Sequence, residues 1–151
     1  MPEATPPAAD AVLFRWPVRV YWEDTDAGGI VFYANYLKFF ERARTEWLRA
    51  LGVHQQALRE AEGAIFVVAE TALRYHAPAR LDDALDVTVA LLERGSASMR
   101  LRQQAWRAGT LLAEGDIRIG CVDHGTLRPR RIPSVITQAL DNPPTPAPTP
   151  P

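Results

Sequence analysis

Cys121 is the only cysteine in 151 residues, so no disulfide can form within the chain, and a reducing compartment is the expectation. Long apolar runs are missing as well. Nothing approaches the roughly 18 consecutive apolar residues of a membrane-spanning helix, and Met1-Pro2-Glu3-Ala4 shows neither the basic nor the apolar region of a secretory signal. A soluble, cytoplasmic protein with no membrane insertion is expected. Charge of one sign is not in excess: 17 Lys and Arg stand against 18 Asp and Glu, interspersed along the chain. That balance offers no field for nucleic acid. Gly-x-Ser-x-Gly, the Walker A loop and Gly-x-Gly-x-x-Gly are all absent, which removes the nucleophile elbow, the phosphate loop and the dinucleotide fingerprint. His54, His76 and His124 are scattered without paired ligand spacing, so neither a metal nor another cofactor is expected.

Proline is rare in the middle of the chain and dense at its ends. Of 13 prolines, three fall in Met1 to Pro7 and six in Pro143 to Pro151, leaving Pro17, Pro78, Pro129 and Pro133 between them. The terminal tract has no apolar face to bury and reads as an extended, solvated tail. The expected division is a disordered segment at 1–12, one folded domain at 13–140, and a disordered Pro-rich tail at 141–151.

What the chain does have is an acidic, glycine-containing loop, Asp24-Thr25-Asp26-Ala27-Gly28-Gly29, set between a strand pattern and a long helical pattern. Phe14 to Trp22 reads as a strand, with Val18, Val20 and Trp22 on one face and Pro17 marking an edge. Tyr36 to Leu51 reads as a helix. Its stripe is Tyr36, Phe40, Ala43, Trp47 and Ala50, widened by Leu37, Leu48 and Leu51, with Asn35 as N-cap, Arg42 and Glu46 as an i,i+4 pair, and Gly52 as the stop. His54 to Gly63 is a short polar helix or loop. Four strand patterns follow: Ile65 to His76, Leu85 to Glu93, Met99 to Arg107 and Leu111 to Asp123. Turn-like links at Ala77-Pro78-Ala79, Arg94-Gly95-Ser96 and Ala108-Gly109 suggest a meander of antiparallel neighbours. Ser134 is placed to cap a last short helix to Leu140. The fold class is α+β: a five-stranded antiparallel sheet wrapped around one long central helix, the hotdog arrangement. Such a sheet has an open edge, which points to a dimer.

The loop admits two readings. Asp-Thr-Asp before Gly-Gly is sound turn chemistry. A carboxylate held beside free N–H groups at a helix start is also a minimal kit for acyl transfer. Asp26 is the candidate catalytic carboxylate, as nucleophile or as general base, and Asp24 the residue that caps or orients the loop. A calcium loop is disfavoured, because Gly28 and Asn35 would occupy ligand positions five and twelve. Cys121 is in phase with Ile117 and Ile119 and reads as core. Arg128, Arg130 and Arg131 could meet the phosphates of a nucleotide-bearing substrate or form a solvated basic loop, and Arg94 has the same two readings.

The run Tyr21 to Tyr36, with Phe40-Glu41-Arg42-Ala43-Arg44-Thr45-Glu46, Tyr75-His76-Ala77-Pro78-Ala79-Arg80-Leu81-Asp82-Asp83, Arg94-Gly95-Ser96 and Cys121-Val122-Asp123, resembles the hotdog acyl-CoA thioesterases. Within them it is most similar to the Tol–Pal-associated branch of the 4-hydroxybenzoyl-CoA thioesterase family. The resemblance implies hydrolysis of a small or medium acyl-CoA to the free acid and CoA, in a homodimer or homotetramer with its active site at a subunit interface. It implies that Asp26 carries the reaction and that a backbone N–H near Tyr33 polarises the thioester carbonyl. Gly29, Ile30, Arg94, Ser96, Arg128 and Arg130 are then the substrate contacts. Tol–Pal members often carry His where this chain has Tyr33, and the 4-hydroxybenzoyl-CoA enzymes carry Tyr, so aliphatic and aromatic acyl groups both stay open. So do acyl carrier protein as the thioester donor and a hotdog module that binds without hydrolysing.

Overall fold

The computed structural model describes residues 11–142; the Pro-rich tract at 143–151 and most of the N-terminal segment lie outside them. In chain order the elements are β1 (Val12–Arg19), α1 (Tyr36–Ala50), α2 (Gln55–Glu62), β2 (Ala64–Tyr75), β3 (Ala84–Arg94), β4 (Ser98–Arg107), β5 (Thr110–Asp123) and α3 (Ser134–Asp141). Two short 3-10 turns, Trp22–Asp24 and Tyr33–Asn35, lie between β1 and α1. The five strands form one antiparallel sheet in the order β1-β3-β4-β5-β2.

Period-two patterning decides which side of the sheet is covered. Leu85, Val87 and Val89 of β3, Met99, Leu101, Gln103 and Ala105 of β4, and Ile117, Ile119 and Cys121 of β5 are all buried. Against them lie Tyr36, Phe39, Phe40, Ala43, Trp47 and Leu48 of α1. Each large side chain so buried contributes about 1.5–3 kcal/mol. The helix is rotated slightly from its expected stripe: Phe39, one turn from Tyr36 and Ala43, is fully buried, while Leu37 and Ala50 are exposed. Gly115 lets α1 approach β5, since a Cβ there would stand 2.9 Å from Leu73 Cδ2 and 3.1 Å from Phe40 Cε2. Gln103, the polar member of the covered face, is satisfied on both sides. Its Nε2 donates to the Phe40 carbonyl at 2.9 Å, and its Oε1 accepts from Arg44 Nη1 at 2.9 Å.

Four expectations need correction. The strands after α1 do not form a four-strand meander. β2 pairs with β5, and only β3-β4-β5 run as hairpins, so residues 76–83 cross from one side of the sheet to the other. β1 ends at Arg19, which leaves Trp22 in the 3-10 turn and 80% exposed instead of on the inward face. Glu46 pairs with Arg49 at 3.4 Å, and the Arg42 guanidinium sits over the Phe39 ring. Ser134 is the first residue of α3, preceded by Pro133, and makes no side-chain cap bond. Pro17 does lie on an edge strand, β1. Among the described residues no helix is long and apolar enough to cross a membrane.

Candidate active site

The acidic loop folds back on itself as a small hairpin. Thr25 and Val31 form an antiparallel bridge, Asp26 N–H donates to Ile30 O at 2.9 Å, and Gly29 N–H donates to Asp26 O at 3.0 Å. Gly29 adopts φ +77°, the left-handed residue that closes a three-residue hairpin loop. Asp26 Oδ1 accepts from Gly28 N–H at 2.8 Å, so the turn chemistry of the motif is realised. A Cβ on Gly28 would come within 3.2 Å of that same oxygen. In the single chain Asp26 is exposed at the hairpin tip.

Asp24 is buried at the base of the hairpin, 3% exposed. Its Oδ2 accepts from Tyr21 N–H and its Oδ1 from Asn35 Nδ2, both at 2.8 Å, and its carbonyl accepts from Phe32 N–H at 2.9 Å. The expectation that Asn35 caps α1 is therefore corrected. Asn35 has helical dihedrals, makes no side-chain cap bond and gives its amide to Asp24. The chain enters α1 earlier, through the Tyr33–Asn35 turn, whose N-cap, Phe32, carries no acceptor. Asn35 N–H already reaches Phe32 O at 2.8 Å, so the N–H groups ahead of it, Tyr33 and Ala34, are the ones that a first turn leaves without helical acceptors.

An aromatic cluster surrounds that turn: Phe32 on Tyr33, Tyr33 edge-on to Tyr75, and Tyr36 against Tyr75 and Phe39. The Tyr75 hydroxyl donates to the Tyr33 carbonyl at 2.8 Å. Burial pushes the Tyr75 phenol up, with Tyr33 adding to the effect, so the donor keeps its proton at neutral pH. Sequence reasoning gives Asn35 only the role of a cap and Tyr75 no role at the site; a tyrosine at a strand end and an asparagine before a helix carry no signal of long-range partners.

The crossing segment after β2 clamps the hairpin from the other side. Val31 N–H donates to Ala79 O at 2.9 Å, Ile30 bridges to Arg80, and Ala79 N–H donates to the buried Tyr36 hydroxyl at 3.2 Å. Arg107 holds this segment through Asp83 Oδ2 at 2.7 Å and Pro78 O at 3.1 Å. Burial would push the Asp83 carboxyl up, but the Arg107 guanidinium and Arg80 N–H outweigh it and hold the carboxyl below the ordinary range. A depressed folded pKa gives stability that is present above the unfolded value, about 4, and is lost as pH falls through the folded one. Thermal unfolding followed from pH 6 to pH 2 should therefore show an acid-side loss that Asp83→Asn makes shallower.

The other proposed binding residues lie elsewhere. Arg94 ends β3 and pairs with Asp141 at 2.7 Å. Ser96 is exposed in the β3–β4 turn, and its carbonyl accepts from Ile132 N–H at 2.8 Å. Arg128 is exposed, and Arg130 Nη1 donates to the Glu62 carbonyl. This group sits at the opposite end of the sheet from Asp26, Gly29, Ile30 and Tyr33, about 35 Å along a strand of β2's length. One chain does not bring the two groups together. Open grooves of about 240 Å³ (Glu93, Arg94, Gly95, Ser98, Arg100, Arg118) and 410 Å³ (Glu70, Thr71, Ala72, Arg100, Asp116, Arg118) run over the face away from α1 and include neither Asp26 nor Tyr33.

A family model described as the thioesterase-like superfamily matches residues 20–140. The chain is 47% identical over 128 residues to the acyl-CoA thioester hydrolase YbgC of Escherichia coli O6:H1, covering 84% of this chain and 95% of that relative. It is 44% identical over 127 residues to the acyl-CoA thioesterase YbgC of Haemophilus influenzae, covering 84% and 93%. A solved structure of a probable thioesterase from Bartonella henselae superposes with a TM-score of 0.77 at 31% identity, covering 82% of this chain and all of the other.

Proposed function

Since the chain belongs to the thioesterase-like superfamily, we propose that it hydrolyses the thioester of a small or medium acyl-CoA, with Asp26 carrying the reaction and the Tyr33 N–H receiving the oxyanion. The observation that supports this most is an exposed carboxylate at the tip of a clamped hairpin whose returning arm runs into an uncapped first turn. Water, activated by Asp26 as general base, adds to the carbonyl carbon; alternatively the Asp26 carboxylate adds first and water cleaves the resulting anhydride. In both courses the C–S bond breaks, CoA leaves as thiolate, and the free acid is the other product. Developing negative charge on the carbonyl oxygen is stabilised at the helix start by N–H groups and the dipole. Membership of the Tol–Pal-associated branch of the 4-hydroxybenzoyl-CoA thioesterases, and a reducing, cytoplasmic setting, belong to the same proposal.

The active unit is a dimer joined along β2, or a tetramer made of two such dimers. That strand is a free edge of the sheet, and its Val67 and Val68 are 37% and 52% exposed. It ends at Tyr75, whose hydroxyl touches the candidate site. Antiparallel pairing of β2 with its own copy sets the Ala64 end of one strand beside the Tyr75 end of the other. The Ser96, Arg128 and Arg130 end of the second copy then comes alongside Asp26, which supplies the phosphate contacts that one chain lacks. Val68→Lys places like charges across that seam. It should give a monomer by analytical ultracentrifugation and a loss of turnover of at least about tenfold. A monomer with full activity would rule out the shared site.

The direct test is CoA release from a graded panel of aliphatic and aromatic acyl-CoA thioesters, with acyl carrier protein thioesters alongside. Binding by calorimetry without turnover on any of them would replace this reading with that of a non-hydrolytic acyl-binding module.

A further inference from the structure

We propose that Asp24 and Asn35 act as a positioning pair that sets the distance between the Asp26 carboxylate and the N–H groups at the start of α1; this rests on the reading of the reaction given above. Three segments meet on Asp24, and no other described residue joins all of them. Its side chain holds Tyr21 N–H at the exit of β1 and Asn35 Nδ2 at the helix start, and its carbonyl holds Phe32 N–H on the returning arm of the hairpin. Asp26 is two residues along one arm, and Tyr33 is one residue beyond Phe32 on the other. The hairpin tip and the oxyanion donors are thereby built outward from one buried point.

The pair is costly to hold by itself, which argues for a purpose. Asp24 is 3% exposed and Asn35 6%, and a buried carboxylate is tolerated only when its oxygens are satisfied. Both of them are, at 2.8 Å each. Asparagine before a helix ordinarily caps it, yet Asn35 makes no cap bond. A local preference has been given up for a contact 11 residues away in sequence, the kind of exception that gathers at functional sites. Neither residue touches the carbonyl in this scheme; each acts through the placement of Asp26 and of the Tyr33 and Ala34 amides.

The test compares Asn35→Ala, Asn35→Asp and Asp26→Asn in the full chain, using an acyl-CoA that the wild type turns over. Asn35→Ala should lower kcat about 10²-fold with KM little changed, since a misplacement of about 1 Å costs that much. The measurement is made at a temperature where circular dichroism shows the variant folded. A pair that is only structural would lower Tm and leave kcat of the folded protein alone, and that result overturns the proposal, provided Asp26→Asn is inactive in the same assay. Activity in Asp26→Asn would instead overturn the reading of the reaction itself. Should Asn35→Ala not fold, Asn35→Asp decides. It sets two carboxyls face to face, so one must hold a proton to restore the hydrogen bond. Its kcat relative to wild type should rise as pH is lowered from 8 to 5, and a flat ratio overturns the pair.

Discussion

Asp26→Asn should lower kcat on acyl-CoA by roughly 10³-fold, within the range of about 10²–10⁴ that a positioned acid–base group supplies, while leaving Tm almost unchanged. The substitution is informative because of what it keeps. Asparagine retains an Oδ1 that can accept from Gly28 N–H as the carboxylate does at 2.8 Å. The main-chain bonds that close the hairpin, Asp26 N–H to Ile30 O and Gly29 N–H to Asp26 O, do not involve the side chain. What disappears is the charge and with it the capacity to add to a carbonyl or to take a proton from water. CoA release followed with a thiol reagent is the measurement. Undiminished turnover in a folded variant would leave Asp26 as a turn residue and nothing more.

Phe40→Ala should have the largest effect on stability, about 3–5 kcal/mol, a substantial part of the roughly 5–15 kcal/mol available to a domain of this kind. Phe40 is fully buried where α1 crosses the sheet. Its ring reaches toward Gly115, where no side chain exists to move into the space left behind. Its carbonyl also carries the Gln103 amide, which in turn accepts from Arg44. The lost ring therefore leaves a cavity beside a polar pin that depends on close packing. A fall in the midpoint of urea unfolding, with the m-value kept, is the expected signature; a shift worth less than about 1 kcal/mol would mean that the helix settles onto the sheet without it.

The sheet was legible in the sequence where one face is covered and the other is not. Met99, Leu101, Gln103 and Ala105 alternate, and all four are buried. The long helix was legible for the same reason, with Gly52 ending it at φ +86°. What could not be seen is where a distant group overrules a local pattern. The alternation of Val18, Val20 and Trp22 suggests a strand that continues, but the Asp24 carboxylate takes Tyr21 N–H and turns the chain. Ala77-Pro78-Ala79 has the composition of a hairpin turn, yet whether β2 meets β3 or β5 depends on how the whole sheet curls. The charges behaved likewise. Arg94 and Arg130, read from the sequence as phosphate ligands, also have partners within the chain that no local pattern announces, Asp141 and the Glu62 carbonyl. The site motif was visible from the run Asp24 to Tyr36; its supports Tyr75 and Arg107 come from far along the chain, and Asn35, inside the run, reads as a cap and not as the partner of Asp24.

The two outer strands are unequal. Both carry charged residues, exposed apolar ones and a register irregularity, but β1 alone carries a proline, Pro17, which has no N–H to offer. In the proposed dimer, joined along β2, β1 is the edge left open, and Pro17 takes one hydrogen-bond donor away from it. A chain that has lost this proline should be judged first by whether it forms fibres, before any question is asked about its catalysis.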